Sequence, residues 1–105
     1  MKYLRLKKQE DFQKLFHKGK RAFSPSLTVI YAPFKATRMG ISVGKRHGKA
    51  HTRNRIKRLL REAFRLESDG LKGSYSFVLI PKVRDEYAFE TFRRDIKSIF
   101  KREKL

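Results

Sequence analysis

The chain has 105 residues, with 28 Lys and Arg against 10 Asp and Glu, a formal net charge of +18 and no cysteine. That length encloses a single core, so one domain spanning residues 1–105 is expected, and without cysteine there is neither a disulfide framework nor a thiolate metal site. No apolar run reaches the ~18 residues that a membrane span needs, and MKYLRLKKQEDF lacks the apolar stretch of a signal peptide, so the expected location is the cytoplasm.

Gln9–Lys18 reads as a short helix. Phe12, Leu15 and Phe16 fall on one side, Glu10 and Asp11 sit in the first turn where the helix dipole favours them, and Gly19 follows as a stop. Residues 20–25 suit a short edge strand ended by Pro25. Leu27–Ala32 is β-branched and aromatic and is closed by Pro33. Arg38–Val43 alternates Met39, Ile41 and Val43 against Arg38, Gly40 and Ser42, the period of a strand with one buried face. Gly44–His51 is a basic loop. A second helix is expected from an N-cap near Thr52 to about Glu67, followed by a turn at Asp69, Gly70 and Gly73. Tyr75–Ile80 reads as a largely buried strand, and Tyr87–Arg102 as a last helix with Phe89, Phe92, Ile96, Ile99 and Phe100 at helical spacing. The order α-β-β-β-α-β-α predicts an α+β fold with helices on a small four-stranded sheet.

The charge is concentrated. No acid occurs between Asp11 and Glu62, and the intervening stretch holds 14 Lys and Arg. Packing so many cations into one unbroken segment produces self-repulsion unless a polyanion lies along it. Nucleic acid fits this pattern through phosphate neutralisation and counterion release. A membrane surface is usually met by one amphipathic basic helix or tail, not by a block spanning strands, loops and a helix.

The second helix carries the most information. At about 100° per residue, Ile56, Leu59, Leu60, Ala63, Phe64 and Leu66 share one face. Asn54, Lys57, Arg58, Arg61 and Arg65 occupy the opposite face, and Arg53 and Arg55 flank the apolar stripe near the start. A merely solvated face would mix signs, because Glu–Lys pairs along a helix add support. Here the first turn is cationic and opposes the helix dipole. Phosphate near that N-terminus would meet both guanidinium forks and free backbone N–H groups.

Phe12 and Phe16 at i and i+4 suit either a core stripe or a single-strand site, where aromatics stand beside cations such as Lys14, Lys18 and Lys20. Catalytic groups are sparse. The basic half has no carboxylates for a two-metal nuclease. His47 and His51 share a loop, where phosphate contact or plain exposure fits them better than paired acid–base work.

The string Arg53-Asn54-Arg55-Ile56-Lys57-Arg58-Leu59-Leu60-Arg61-Glu62 resembles the motif region of the bacterial ribonuclease P protein family. Glu10-Asp11-Phe12-Gln13-Lys14-Leu15-Phe16 with Gly19 resembles that family's first helix. Gly40-Ile41-Ser42-Val43-Gly44-Lys45-Arg46, followed by Gly48-Lys49-Ala50, resembles its third strand and the loop before the motif. The resemblance implies an α/β sandwich with a left-handed βαβ crossover, and binding to a large catalytic RNA that removes the 5′ leader of precursor tRNA using Mg2+ held mainly by RNA. It implies an RNA-binding motif of Arg53, Asn54, Arg55, Lys57, Arg58, Arg61 and Arg65, with Asn54 able to touch a phosphate-shared Mg2+. It implies a leader cleft of Phe12, Phe16, Ser42, Lys45 and Arg46, no catalytic residue in the protein, and one monomer per RNA. The chain departs from the family pattern in having Ile30 at the position of a strand aromatic, with Tyr31 falling on the other face. Two further classes share the charge pattern: a structural ribosomal-type protein, which needs no leader cleft, and an endoribonuclease that acts alone.

Overall fold

The computed structural model describes residues 3–105. The elements, in chain order, are β1 (Leu4–Arg5), α1 (Gln9–Lys18), β2 (Lys20–Phe23), β3 (Leu27–Pro33), β4 (Arg38–Ile41), a 3-10 turn at Lys45–His47, α2 (Ala50–Ser68), β5 (Tyr75–Pro81) and α3 (Phe89–Arg102). The α+β sandwich is as expected, but the sheet has five strands, in the order β1-β4-β5-β3-β2. The extra strand is the two-residue β1, which pairs in parallel with Arg38 and Met39 of β4. β4 and β5 run parallel on either side of α2 in sequence, forming a βαβ unit, while β3 is antiparallel to both β5 and β2.

Alternation along the strands sends side chains to two faces. One face presents Val29, Tyr31, Met39, Phe77 and Leu79 to α2 and α3. Phe64 of α2 lies edge-on to Tyr3, Phe77 and Phe100 there, which locks both helices to the sheet. The stripe read from sequence holds: Ile56, Leu60, Ala63 and Phe64 are buried, with Leu59 and Leu66 at its margin. The opposite face buries Ile30 and Val78 under Leu15 of α1, joined by Leu6.

Several boundaries shift. α2 starts at Ala50, so Lys49 is its N-cap and Thr52 lies in the first turn. The chain enters that helix through Gly48, whose φ of 115° suits only glycine. β4 stops at Ile41, although Ser42 N–H still bonds the Leu79 carbonyl. Gly19 ends α1 in an extended conformation rather than a left-handed one. Glycine is required there because a Cβ would lie 2.5 Å from Ile30 Cγ2 and 2.7 Å from the Leu15 carbonyl oxygen.

A buried carboxylate pins the β2–β3 turn to α3. Asp95, only 3% exposed, accepts from the Ser26 backbone N–H (3.0 Å) and the Ser26 hydroxyl (2.5 Å), and from Arg94 Nε (3.1 Å). Burial alone would raise its pKa, but the Ser26 and Arg94 hydrogen bonds outweigh that and hold it below the ordinary value.

Candidate nucleic-acid interface

The motif side chains gather on the outer side of α2. Asn54, Arg55 and Arg58 are exposed, and Arg53, Lys57 and Arg61 are half-buried at the margins. No acid lies in the first turn of α2. Of the basic block between Asp11 and Glu62, only Lys20 and Arg38 form ion pairs among the described residues, with Glu103 and Asp11. Arg65 differs from the rest of the stripe. Glu62, one turn before it, takes its guanidinium in an ion pair at 2.5 Å, so it is internally neutralised and stands apart from the unpaired cations.

Two segments flank the motif helix. Lys45 and Arg46 are exposed in the 3-10 turn that precedes it. His47, expected to be exposed or on phosphate, is instead only 9% exposed, with Nδ1 2.7 Å from the Tyr87 hydroxyl. That hydroxyl also accepts the Arg84 backbone N–H at 3.1 Å. The His47 ring donates to the Pro81 carbonyl as well, while burial and then the neighbouring Arg46 push its pKa below the ordinary value. A neutral imidazole thus ties the basic turn to the β5–α3 loop. Arg55 reaches the same loop, with Nη2 3.5 Å from the Tyr87 carbonyl.

On the other side, a groove of about 750 Å³ separates α2 from the N-terminal strand. Lys57 and Arg61 face Arg5 and Lys7 across it, with Phe12 also in its lining and no acid among the residues that form it. Arg5 and Lys7 were not singled out from sequence. The segment Tyr3, Leu4, Arg5 and Leu6 is too short and too uniformly apolar to show a strand period.

Phe12 connects this groove to the α1 face of the sheet. Its ring lies directly against Gly40, where any Cβ would collide with it. Phe12 and Phe16 are both half-buried against the Leu15–Ile30–Val78 cluster, together with Ile80. Each therefore packs on one side and opens on the other. Ser42 falls on this face by alternation from Gly40 and is half-buried. Asp11, the acid beside Phe12, is neutralised by Arg38 at 3.1 Å, and Arg38 itself stacks over Phe34 at 3.8 Å. The cleft thus has aromatic walls and no free carboxylate from α1's buried side. Tyr31 points away, to the helix-packed face, where its hydroxyl donates to Glu103 at 2.6 Å.

A comparison with protein families decides what this surface belongs to. The family model described as ribonuclease P matches residues 1–104. The chain belongs to the ribonuclease P protein family. A ribonuclease P protein component from Clostridioides difficile is 41% identical over 101 residues, covering 92% of this chain and 89% of that protein. The structure of the Staphylococcus aureus RNase P protein superposes with a TM-score of 0.84 at 28% identity, covering 98% of this chain and 97% of that one. A mutant of the staphylococcal protein with defective mRNA degradation activity superposes with a TM-score of 0.82 at 28% identity, over 95% of this chain and 87% of that one. As a ribonuclease P protein component, the chain is the accessory subunit of an endoribonuclease.

No three His, Asp or Glu side chains converge among the described residues. Asn54 stands exposed among cations, where its side-chain NH2 can donate to a phosphate, while its single amide oxygen is far short of a divalent-ion cage. No helix among the described residues is long and apolar enough to cross a membrane.

Proposed function

We propose that this chain binds the catalytic RNA of ribonuclease P through α2 and grips the 5′ leader of precursor tRNA in the cleft beside α1. The observation that carries the reading is the pairing of an unneutralised cationic helix face with an aromatic cleft reached through the same groove. The proposed motif residues are Arg53, Asn54, Arg55, Lys57, Arg58 and Arg61. Arg65 is left to its pair with Glu62. Phe12 and Phe16 stack leader bases, and Ser42, Lys45 and Arg46 lie along the strand's path toward the motif helix.

The protein's contribution is electrostatic. Catalytic RNA and precursor are both polyanions, and a fixed row of guanidinium and ammonium groups between them lowers their mutual repulsion. Arg forks hold phosphates bidentately, which fixes register as well as attraction. The cleft touches only the leader, so it favours precursor over mature tRNA. Bond cleavage is assigned to the RNA and its Mg2+, with one monomeric protein per RNA. Asp85 and Glu86 stand exposed in a loop, and His47 is buried against Tyr87, and the proposal gives none of them a role in bond cleavage.

The staphylococcal mutant favours a second reading, in which the protein acts on mRNA. One assay separates the two. Protein, catalytic RNA and both together are incubated with precursor tRNA, and with an unstructured mRNA, at low magnesium. The proposal expects leader removal by the complex and none by protein alone. Turnover of either substrate by RNA-free protein would overturn the division of labour.

A further inference from the structure

Phe23 stands in solvent on the edge strand β2, with 59% of its surface exposed. Strand register fixes where it lies. Phe23 pairs with Thr28, Thr28 pairs with Ile80, and Ser42 N–H bonds the Leu79 carbonyl beside Ile80. These four residues form one row across the sheet. The adjacent row, Arg21, Ile30, Val78 and Gly40, is the one on which α1 sits. Thr28, Ile80 and Ser42 are only half-buried, so their row is an open shelf beside α1. It begins at Ser42, just before the basic turn that leads into the motif helix, and ends at Phe23. Three interstrand steps of ~4.8 Å make it about 14 Å long, room for about three or four stacked bases at ~3.4 Å.

We propose that Phe23 is a base-stacking platform at the far end of this shelf, so that the single strand is held across the full width of the sheet. This deepens the leader-binding reading and rests on it. The chemistry around the ring selects RNA as the occupant. Arg21 lies two residues before it on the same face, its guanidinium fixed 3.0 Å from the Phe16 carbonyl at the end of α1, and Arg102 of α3 donates to the Phe23 carbonyl at 2.7 Å. No acid lies in either row. The nearby Glu103 is engaged by Tyr31 and Lys20 on the opposite face. A phenyl ring beside fixed cations stacks bases with little sequence preference. The same cations oppose pairing of β2 with a second copy of itself.

The experiment measures affinity of the protein–catalytic RNA complex for precursor tRNAs with leaders of graded length, comparing the unaltered protein with Phe23→Ala, Phe23→Tyr and Phe16→Ala. Phe23→Ala is expected to weaken binding about fivefold or more, and only for leaders long enough to reach the edge strand. Phe23→Tyr should retain affinity. If Phe16→Ala weakens binding and Phe23→Ala does not at any length, the platform is refuted while the cleft stands. If neither variant responds to the leader, the cleft reading fails and the platform fails with it. An equal loss at every leader length, or loss of a dimer in sedimentation, would assign Phe23 to folding or self-association and overturn the proposal.

Discussion

The replacement of both Arg58 and Arg61 by Ala has a calculable effect on salt dependence. Among the described residues Arg53, Arg55, Lys57, Arg58 and Arg61 form no ion pair with a carboxylate, and Lys45 and Arg46 precede them exposed. With the Arg53 Nε buried and Arg55 partly engaged at Tyr87, about six phosphate contacts are expected. The slope of log affinity against log salt is about −0.7 to −0.9 per contact, so about −4 to −5 in all. Raising salt from about 50 to about 200 mM should then weaken catalytic-RNA binding about 10³-fold. The double variant removes two contacts, lowers the slope to about −3 to −4 and reduces that loss to about 10²-fold. Arg65→Ala should change the slope far less, because Glu62 already neutralises that guanidinium. Filter binding across a salt series reads all three proteins, and a thermal melt confirms that each is folded. A double variant with an unchanged slope, or an Arg65→Ala slope that falls as much as a single unpaired Arg would, refutes the assignment of these side chains to phosphates.

Other consequences follow from the packing. His47 is held neutral with a pKa below the ordinary 6.5, so the unfolded chain binds more protons in the window below that value. Its contribution to stability is therefore fully present above about pH 6.5 and is lost as pH falls through the folded-state pKa. Urea unfolding at descending pH should show a smaller decline for His47→Gln than for the unaltered protein, and identical declines would contradict the Tyr87 latch. Asp95→Ala strands the Ser26 hydroxyl and N–H in the interior and should cost about 2–4 kcal/mol. Chemical denaturation checks this, and a loss below about 0.5 kcal/mol would show that the turn is not pinned there.

The parts of the molecule legible in sequence are those set by local periodicity. The buried stripe of α2 and the opposing cations follow from a 3.6-residue repeat, and α1 followed from Phe12, Leu15 and Phe16. What escaped depends on distant partners. β1 is two residues long and exists because β4 offers it an edge. His47 looked like part of an exposed loop because the residue that buries it, Tyr87, lies 40 positions away. Gly19 read as a helix stop by its type, whereas its reason is the close approach of Ile30 from another strand. The pair of Arg65 with Glu62 is legible at i, i+3 spacing, but only the structure shows the two side chains meeting. Phe23, an isolated aromatic at a strand end, has no sequence pattern to belong to, and its place in a row with Thr28, Ile80 and Ser42 exists only once the register is known.

The most direct measurement is the affinity of the protein–catalytic RNA complex for precursor tRNA relative to mature tRNA, with and without Ala at both Phe12 and Phe16. The account predicts that the protein strengthens binding of the precursor well beyond that of the mature form, and that the double variant erases the difference while still joining the catalytic RNA. Equal strengthening of both tRNAs, or a preference untouched by the loss of both rings, would contradict it.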